Sequence, residues 1–172
     1  HRTDFGTRAL TQYLDSAGVA LPFNALDQTI DSSTGMASSS RDVALVSTSF
    51  EYENMGRIKW VKPVSDTWTE HVYTLATGST DTTVARVDIK NRPNGNATGT
   101  PKTEQVRRFD SLGRLWRDEQ KMPTGPFSVR ETLYDDMGQD MGQVASVSEL
   151  GNTAKKTEFR DYDAFGRATV IR

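Results

Sequence analysis

Apolar positions in this chain do not recur at the i, i+3, i+4 spacing that one face of a helix requires. Short runs of β-branched and aromatic residues are separated by Asp, Gly and Pro punctuation, a pattern that predicts strands joined by turns. Thr103 to Phe109 with Leu115 to Asp118, and Thr157 to Tyr162 with Ala168 to Ile171, read as paired strands. A weaker pair is Trp68 to Ala76 and Val84 to Lys90, around a turn near residues 77–80. Asp4 to Leu14 fits a helical turn or a strand. Three stretches read as loops: Ser-rich Ile30 to Asp42, Asn91 to Pro101, and Met122 to Pro126.

The turns repeat. Four segments align without gaps on the pattern aromatic, acid, any residue, apolar residue, Gly, then Arg or Gln. Their motif residues are Tyr52, Glu53, Gly56 and Arg57; Phe109, Asp110, Gly113 and Arg114; Tyr134, Asp135 and Gly138; and Tyr162, Asp163, Gly166 and Arg167. Leu14 to Val19 is a fainter copy, centred on Asp15 and Gly18. Successive acids lie 38, 57, 25 and 28 residues apart, so a unit of about 25 residues fits, with one degenerate unit in the longest gap. Asp136-Met137-Gly138-Gln139 is repeated at once as Asp140-Met141-Gly142-Gln143, and either copy suits the turn. In Asp-x-x-Gly the acid suits the first position of a type I turn, and Gly supplies the positive φ of the bulge that follows. The carboxylate is placed to accept the turn's amides. The expected fold is therefore all-β, a strip of repeated antiparallel hairpins. Residues 50–172 hold about four repeat units, one more is degenerate, and residues 1–49 form a degenerate N-terminal region.

Composition narrows the chemistry. Apolar residues make up 35% and the net charge is −2, which argues against a basic nucleic-acid binder. There is no Cys, and the two His are His1 and His71, so thiolate metal sites and Cys–His nucleophiles are excluded within the chain. No apolar run approaches the ~18 residues of a membrane helix, and membrane insertion is not expected. The chain begins at His1 and stops at Arg172, directly after the strand-like Ala168 to Ile171, so a piece of a longer or processed polypeptide is expected.

Tyr162-Asp163-Ala164-Phe165-Gly166-Arg167 resembles the YD repeat of the RHS (rearrangement hotspot) proteins, with Phe109 and Glu53 as variants at the first two positions. The likeness covers residues 50–172. Relatives of that family include the C components of Tc toxins, secreted RHS effectors and animal teneurins. The resemblance implies a spiral sheet of hairpins and a secreted or cell-surface, bacterial setting. It also implies a shell wall around an enclosed cargo domain. The family's self-cleaving core has no match here, so a scaffold is implied and not a protease or toxin. No cofactor is expected.

Other chemistries compete for the same residues. Glu53, Asp110, Asp135 and Asp163 could act as paired glycosidase carboxylates, or serve their turns alone. Asp161 and Asp163 form a D-x-D that could reach one cation, although hard cations want more ligands. Arg57, Arg114 and Arg167 could bind anions, or pair with the repeat acids. Tyr52, Phe109, Tyr134 and Tyr162, with Trp60 and Trp116, could stack on sugars, or on each other between hairpins. Asn96-Ala97-Thr98 is a glycosylation sequon in a predicted loop. The leading expectation is a structural, non-enzymatic segment. It is continued through open sheet edges by the rest of its own chain or by copies of itself, as a shell wall or a fibre. The alternative is a carbohydrate-binding adhesin module that uses exposed aromatic and Arg positions.

Overall fold

The computed structural model describes residues 2–4, 7–78, 84–122, 127–134, 138, 140–147, 155–163, 165 and 167–172. These residues form strands and turns and no helix. Asp135, Gly166, residues 79–83 of the degenerate turn and residues 123–126 of the third predicted loop lie outside them. The chain divides into two compact units, residues 1–71 with 91–102, and residues 72–90 with 103–172.

The first unit contains β1 (Arg2–Asp4), β2 (Arg8–Leu14), β3 (Ala20–Ile30), β4 (Ala37–Asp42), β5 (Ser47–Tyr52), β6 (Ile58–Pro63) and the start of β7 (Trp68–Thr74). Each strand pairs antiparallel with the next one in the chain. Of Asp4 to Leu14, Asp4 ends β1 and Arg8–Leu14 form β2, and the two strands pair with each other.

Residues Ala37–Asp42 correct the predicted Ser-rich loop, because they form β4. Ser39 pairs with Thr29 on one side and Ser49 on the other. A serine run carries little strand preference of its own, but two flanking ladders satisfy its backbone and fix it as strand. The loop itself shrinks to Asp31 to Met36.

The second unit holds most of β8 (Arg86–Arg92), then β9 (Thr103–Phe109), β10 (Leu115–Lys121), β11 (Phe127–Tyr134), β12 (Asp140–Val147), β13 (Lys155–Tyr162) and β14 (Ala168–Ile171). From β9 to β14 each strand again pairs antiparallel with its successor. The protein is therefore all-β, built from consecutive antiparallel hairpins.

The duplicated tetrapeptide divides its work. Gly138 has φ +83°, like the turn glycines Gly56 and Gly113 at +78°. Gly142 sits inside β12, opposite Leu133 on β11 and Glu158 on β13. A Cβ at Gly142 would overlap the Thr157 carbonyl oxygen, so the second copy supplies a close approach between strands.

Burial is shallow. Among the described residues only Ala9, Trp60, Val84 and Val129 are buried apolar side chains, and none falls below 2% exposure. Among the described residues no helix covers these strands, and an antiparallel sheet can leave a face to water. Trp60, at 6% exposure, is the large exception. Trp68 meets it edge-on at 6.3 Å, and the Lys62 ammonium lies 5.3 Å from the Trp60 ring and 4.8 Å from the Trp68 ring.

Candidate functional site

At Glu53, Asp110 and Asp163 the repeat motif forms one kind of turn. At Asp110 the amide donates to the Arg114 carbonyl at 2.9 Å, and the Gly113 amide donates back to the Asp110 carbonyl at 3.0 Å. Oδ1 of Asp110 accepts the Leu112 and Arg114 amides, both at 2.9 Å, and Oδ2 accepts Arg114 Nε at 2.7 Å. The Asp163 carboxylate repeats these three bonds at 2.9, 2.9 and 2.7 Å, with Phe165 and Arg167 as donors. At Glu53 the backbone bonds recur, and the longer carboxylate takes Arg57 Nε. The repeat acids Glu53, Asp110 and Asp163 and the repeat arginines are therefore engaged with each other and with their own turns.

These bonds set the charge state of the acids. Partial burial pushes the Asp110 carboxyl up, but the Arg114 and Leu112 amides and the Arg114 guanidinium outweigh it and hold it below the usual carboxylate range. The Arg167 amide, aided by its guanidinium, does the same for Asp163. The Ser33 hydroxyl lowers Asp31, and the Arg8 guanidinium lowers Asp27.

Three turns of the first unit outside the four aligned segments are also built on an Asp that bonds its own turn. Asp15 makes the motif bonds with Gly18 and Val19. Asp42 makes them with Leu45 and Val46, and Leu45 takes the glycine place at φ +63°. Asp31 spans one residue more, to Gly35 and Met36. In an antiparallel meander successive turns alternate between the two ends of the strands. The turn at 31–36 therefore shares an end with 53–57, and those at 15–19 and 42–46 share the other. The predecessor of the 53–57 repeat along the sheet is the Asp31 turn, and the Asp15 copy belongs to the opposite end. Leu in place of Gly hid the Asp42 turn, and an extra residue hid the Asp31 turn.

In two repeats the motif tyrosine also joins its hairpin to the one before it. The Tyr52 hydroxyl donates to the Ala37 carbonyl at 2.9 Å, and the Tyr134 hydroxyl donates to the Leu115 carbonyl at 2.8 Å. The Arg114 guanidinium lies 4.3 Å from the Tyr134 ring centroid, and its Nη1 lies 2.9 Å from the place a Cβ would take on Gly138. Met36 closes on Gly56 in the same way. These joints run from hydroxyl to carbonyl and from guanidinium to ring. Ring-on-ring contacts among the described residues include Trp60–Trp68 and Tyr13–Phe23.

A further feature, shared by three of the repeats, is a bulge six residues after the acid. Tyr52 pairs with Ile58 but Glu51 with Trp60, leaving Lys59 as the extra residue. Phe109 pairs with Leu115 but Arg108 with Arg117, leaving Trp116. Tyr134 pairs with Asp140 but Leu133 with Gly142, leaving Met141. Bulges re-aim a side chain and bend the strand. Lys59 and Trp116 each line a groove of roughly 530–540 Å³ beside their repeat turn. No residue of the aligned motif marks this position, so only the strand register finds it.

Other candidates are placed as follows. Arg108 and Arg117 converge on Glu119 at 2.8 and 2.9 Å, and Arg117 also reaches Glu131 at 3.2 Å, which makes a mixed-charge network. Asp161 adopts φ +54° next to Tyr162, while the Asp163 carboxylate stays in its turn. Among the described residues no group of three or more His, Cys, Asp or Glu side chains is placed to hold a metal ion. His71 lies in β7. Asn96 and Thr98 are exposed in the 93–101 loop, whose Asn94 Nδ2 donates to the Val64 carbonyl at 2.7 Å. No described helix is long and apolar enough to cross a membrane. No protein-family model matches the chain, and no curated protein matches its sequence.

Proposed function

We propose that the chain is a structural segment of a secreted or cell-surface scaffold of the YD-repeat type. Its hairpins would add in series to build a shell wall or a fibre, with no catalytic role for the repeat acids. The observation that carries this reading is how the motif spends its functional groups. The acid is consumed by turn amides and the repeat Arg, and the aromatic of two repeats is spent on the preceding hairpin. Groups so engaged serve a joint, whereas catalysis needs them free to meet a substrate.

Shallow burial supports the same reading, since repeat arrays draw stability from nearest-neighbour interfaces. The edge strand β14 is Ala-Thr-Val-Ile, without the charge or Pro that isolates an edge. Val170 and Ala168 face β13 in the ladder, so the main-chain groups of Thr169 and Ile171 face the open side. The partner is the next hairpin of a longer chain or a second copy. Ile171→Lys tests this, since Ile171 is 68% exposed and dispensable for packing. The variant is expected to remain folded and to associate less than the wild type. Equal association in the two would refute use of this edge.

A further inference from the structure

The two ends of the strands in the first unit differ. At one end the turns 31–36 and 53–57 are polar, and among the described residues Met55 is their one large exposed apolar side chain. At the other end lie the turns 15–19, 42–46 and 64–67. The Val64 amide donates to the Ser47 carbonyl at 3.0 Å, which ties the third of these turns to the base of the second. Val19, Val43, Leu45 and Val64 project from the three turns, and each is more than half exposed. Val19 stands where the full repeats carry Arg, and Leu45 where they carry Gly. Leu45 is the informative residue. Its φ of +63° is costly for a residue with a Cβ, and Gly or Asn would make the same turn with less strain. At 63% exposure, packing within the chain offsets little of that cost. A strained residue that neither the turn nor the core requires is where a contact outside the chain is to be sought.

We infer that these three turn tips dock on the surface of a zwitterionic phospholipid bilayer, seating their aliphatic side chains among the headgroups without spanning the membrane. Three observations select lipid over protein. A stable protein interface takes roughly 20–30 residues a side and is anchored by Trp, Tyr or Arg, whereas these tips offer four aliphatic side chains. Alternate turns of a meander sit two strand spacings apart, about 10 Å, so the side chains stand as separate knobs. A bilayer closes around such knobs, while a folded partner would need a socket for each. Behind the first tip, Tyr13 and Phe23 form an exposed edge-on pair with ring centroids 6.3 Å apart. Tyr13 lies two residues before Asp15, about 7 Å back along the strand, where an amphipathic ring would meet the headgroup layer.

Charge selects the class of lipid. The three turns contain Asp15, Asp42 and Asp66 and no Lys or Arg. Arg41, whose Nε donates to the Leu45 carbonyl at 3.4 Å, offsets one of these charges. The negative charge that remains disfavours anionic headgroups and leaves apolar contact as the driving force. The four side chains hold about thirteen aliphatic carbons, close to one myristoyl chain, which gives marginal and reversible membrane binding. This surface lies at strand ends and the proposed assembly uses a strand edge, so a chain that assembles without binding lipid refutes this inference alone.

The test floats the intact chain through a density gradient with phosphatidylcholine vesicles, and with vesicles containing phosphatidylserine as the anionic control. Self-associated protein stays at the bottom, so flotation reads lipid binding alone. Half of the chain is expected to float at a lipid concentration on the order of 1 mM or below, with no gain from phosphatidylserine. Leu45→Asn suits the positive φ, so it should keep or raise the melting midpoint. Combined with Val43→Ser it should weaken flotation at least about tenfold. Met55→Ser, at the opposite end of the strands, should leave flotation unchanged. The inference is overturned if the wild type does not float at ~10 mM lipid, a range that covers less than one acyl chain's worth of contact. It is equally overturned if the folded Leu45→Asn, Val43→Ser variant floats like the wild type, or if binding depends on phosphatidylserine. A discrete dimer in lipid-free buffer that the same double variant dissolves would also overturn it, by assigning the tips to a second copy of the chain.

Discussion

Gly142→Ala separates the two copies of the duplicated tetrapeptide. At an open turn glycine such as Gly113 a Cβ meets nothing within 4 Å, so only the positive φ is penalised. Left-handed backbone costs about 1–2 kcal/mol for a residue with a Cβ, and Ala recovers about 0.4–1 kcal/mol through its stiffer unfolded chain. Gly113→Ala should therefore cost about 1 kcal/mol. Gly142 also has a φ that L residues avoid, +145°, and a Cβ there would collide with the Thr157 carbonyl and come within 2.9 Å of Glu158 Cα. Both obstacles are backbone, so β12 and β13 must part. Overpacking of this kind costs about 1–3 kcal/mol, which brings Gly142→Ala to about 3 kcal/mol. The strand pairs at risk run from Gly142–Glu158 to Ala145–Lys155. Urea denaturation of both variants, with amide exchange along β13, measures the difference. A Gly142→Ala cost no larger than that of Gly113→Ala would refute the strand placement of the second copy.

Tyr134→Phe removes the hydroxyl that reaches the Leu115 carbonyl and should cost about 1 kcal/mol by urea denaturation. Trp60→Ala empties the most enclosed large side chain among the described residues and should cost about 3–5 kcal/mol, or prevent folding of the first unit as seen by circular dichroism. Acid should destabilise the chain in a defined window. Asp27, Asp31, Asp110 and Asp163 have depressed folded-state pKa values. Their contribution is complete above the ordinary aspartate value of ~3.9 and disappears as pH falls through the depressed values. Melting midpoints should thus be flat above about pH 5 and drop below about pH 4, with a shallower drop in Asp110→Asn. A midpoint that falls instead as pH rises through neutrality would contradict this.

The hairpins were legible where the chain spells its turn in full. Asp110 with Gly113 states both requirements of the turn, an acceptor for its amides and a residue free to take positive φ. Asp42 with Leu45 states only the first, and the strand pairs around it hold Leu in a costly conformation that no sequence pattern would suggest. Ser38 to Ser40 read as loop because strand propensity is a property of neighbours, and β3 and β5 lie far away in a pattern count but adjacent in the ladder. The groove residues were the least legible. Trp116 and Lys59 owe their direction to a bulge, and a bulge is a relation between two strands.

The central claim is that these hairpins are units of a larger β-structure. Size-exclusion chromatography with light scattering, followed by negative-stain imaging, tests it most directly. The account predicts concentration-dependent association of the unaltered chain into filaments or large closed particles, reduced by Ile171→Lys. A discrete monomer across the whole concentration range would contradict it.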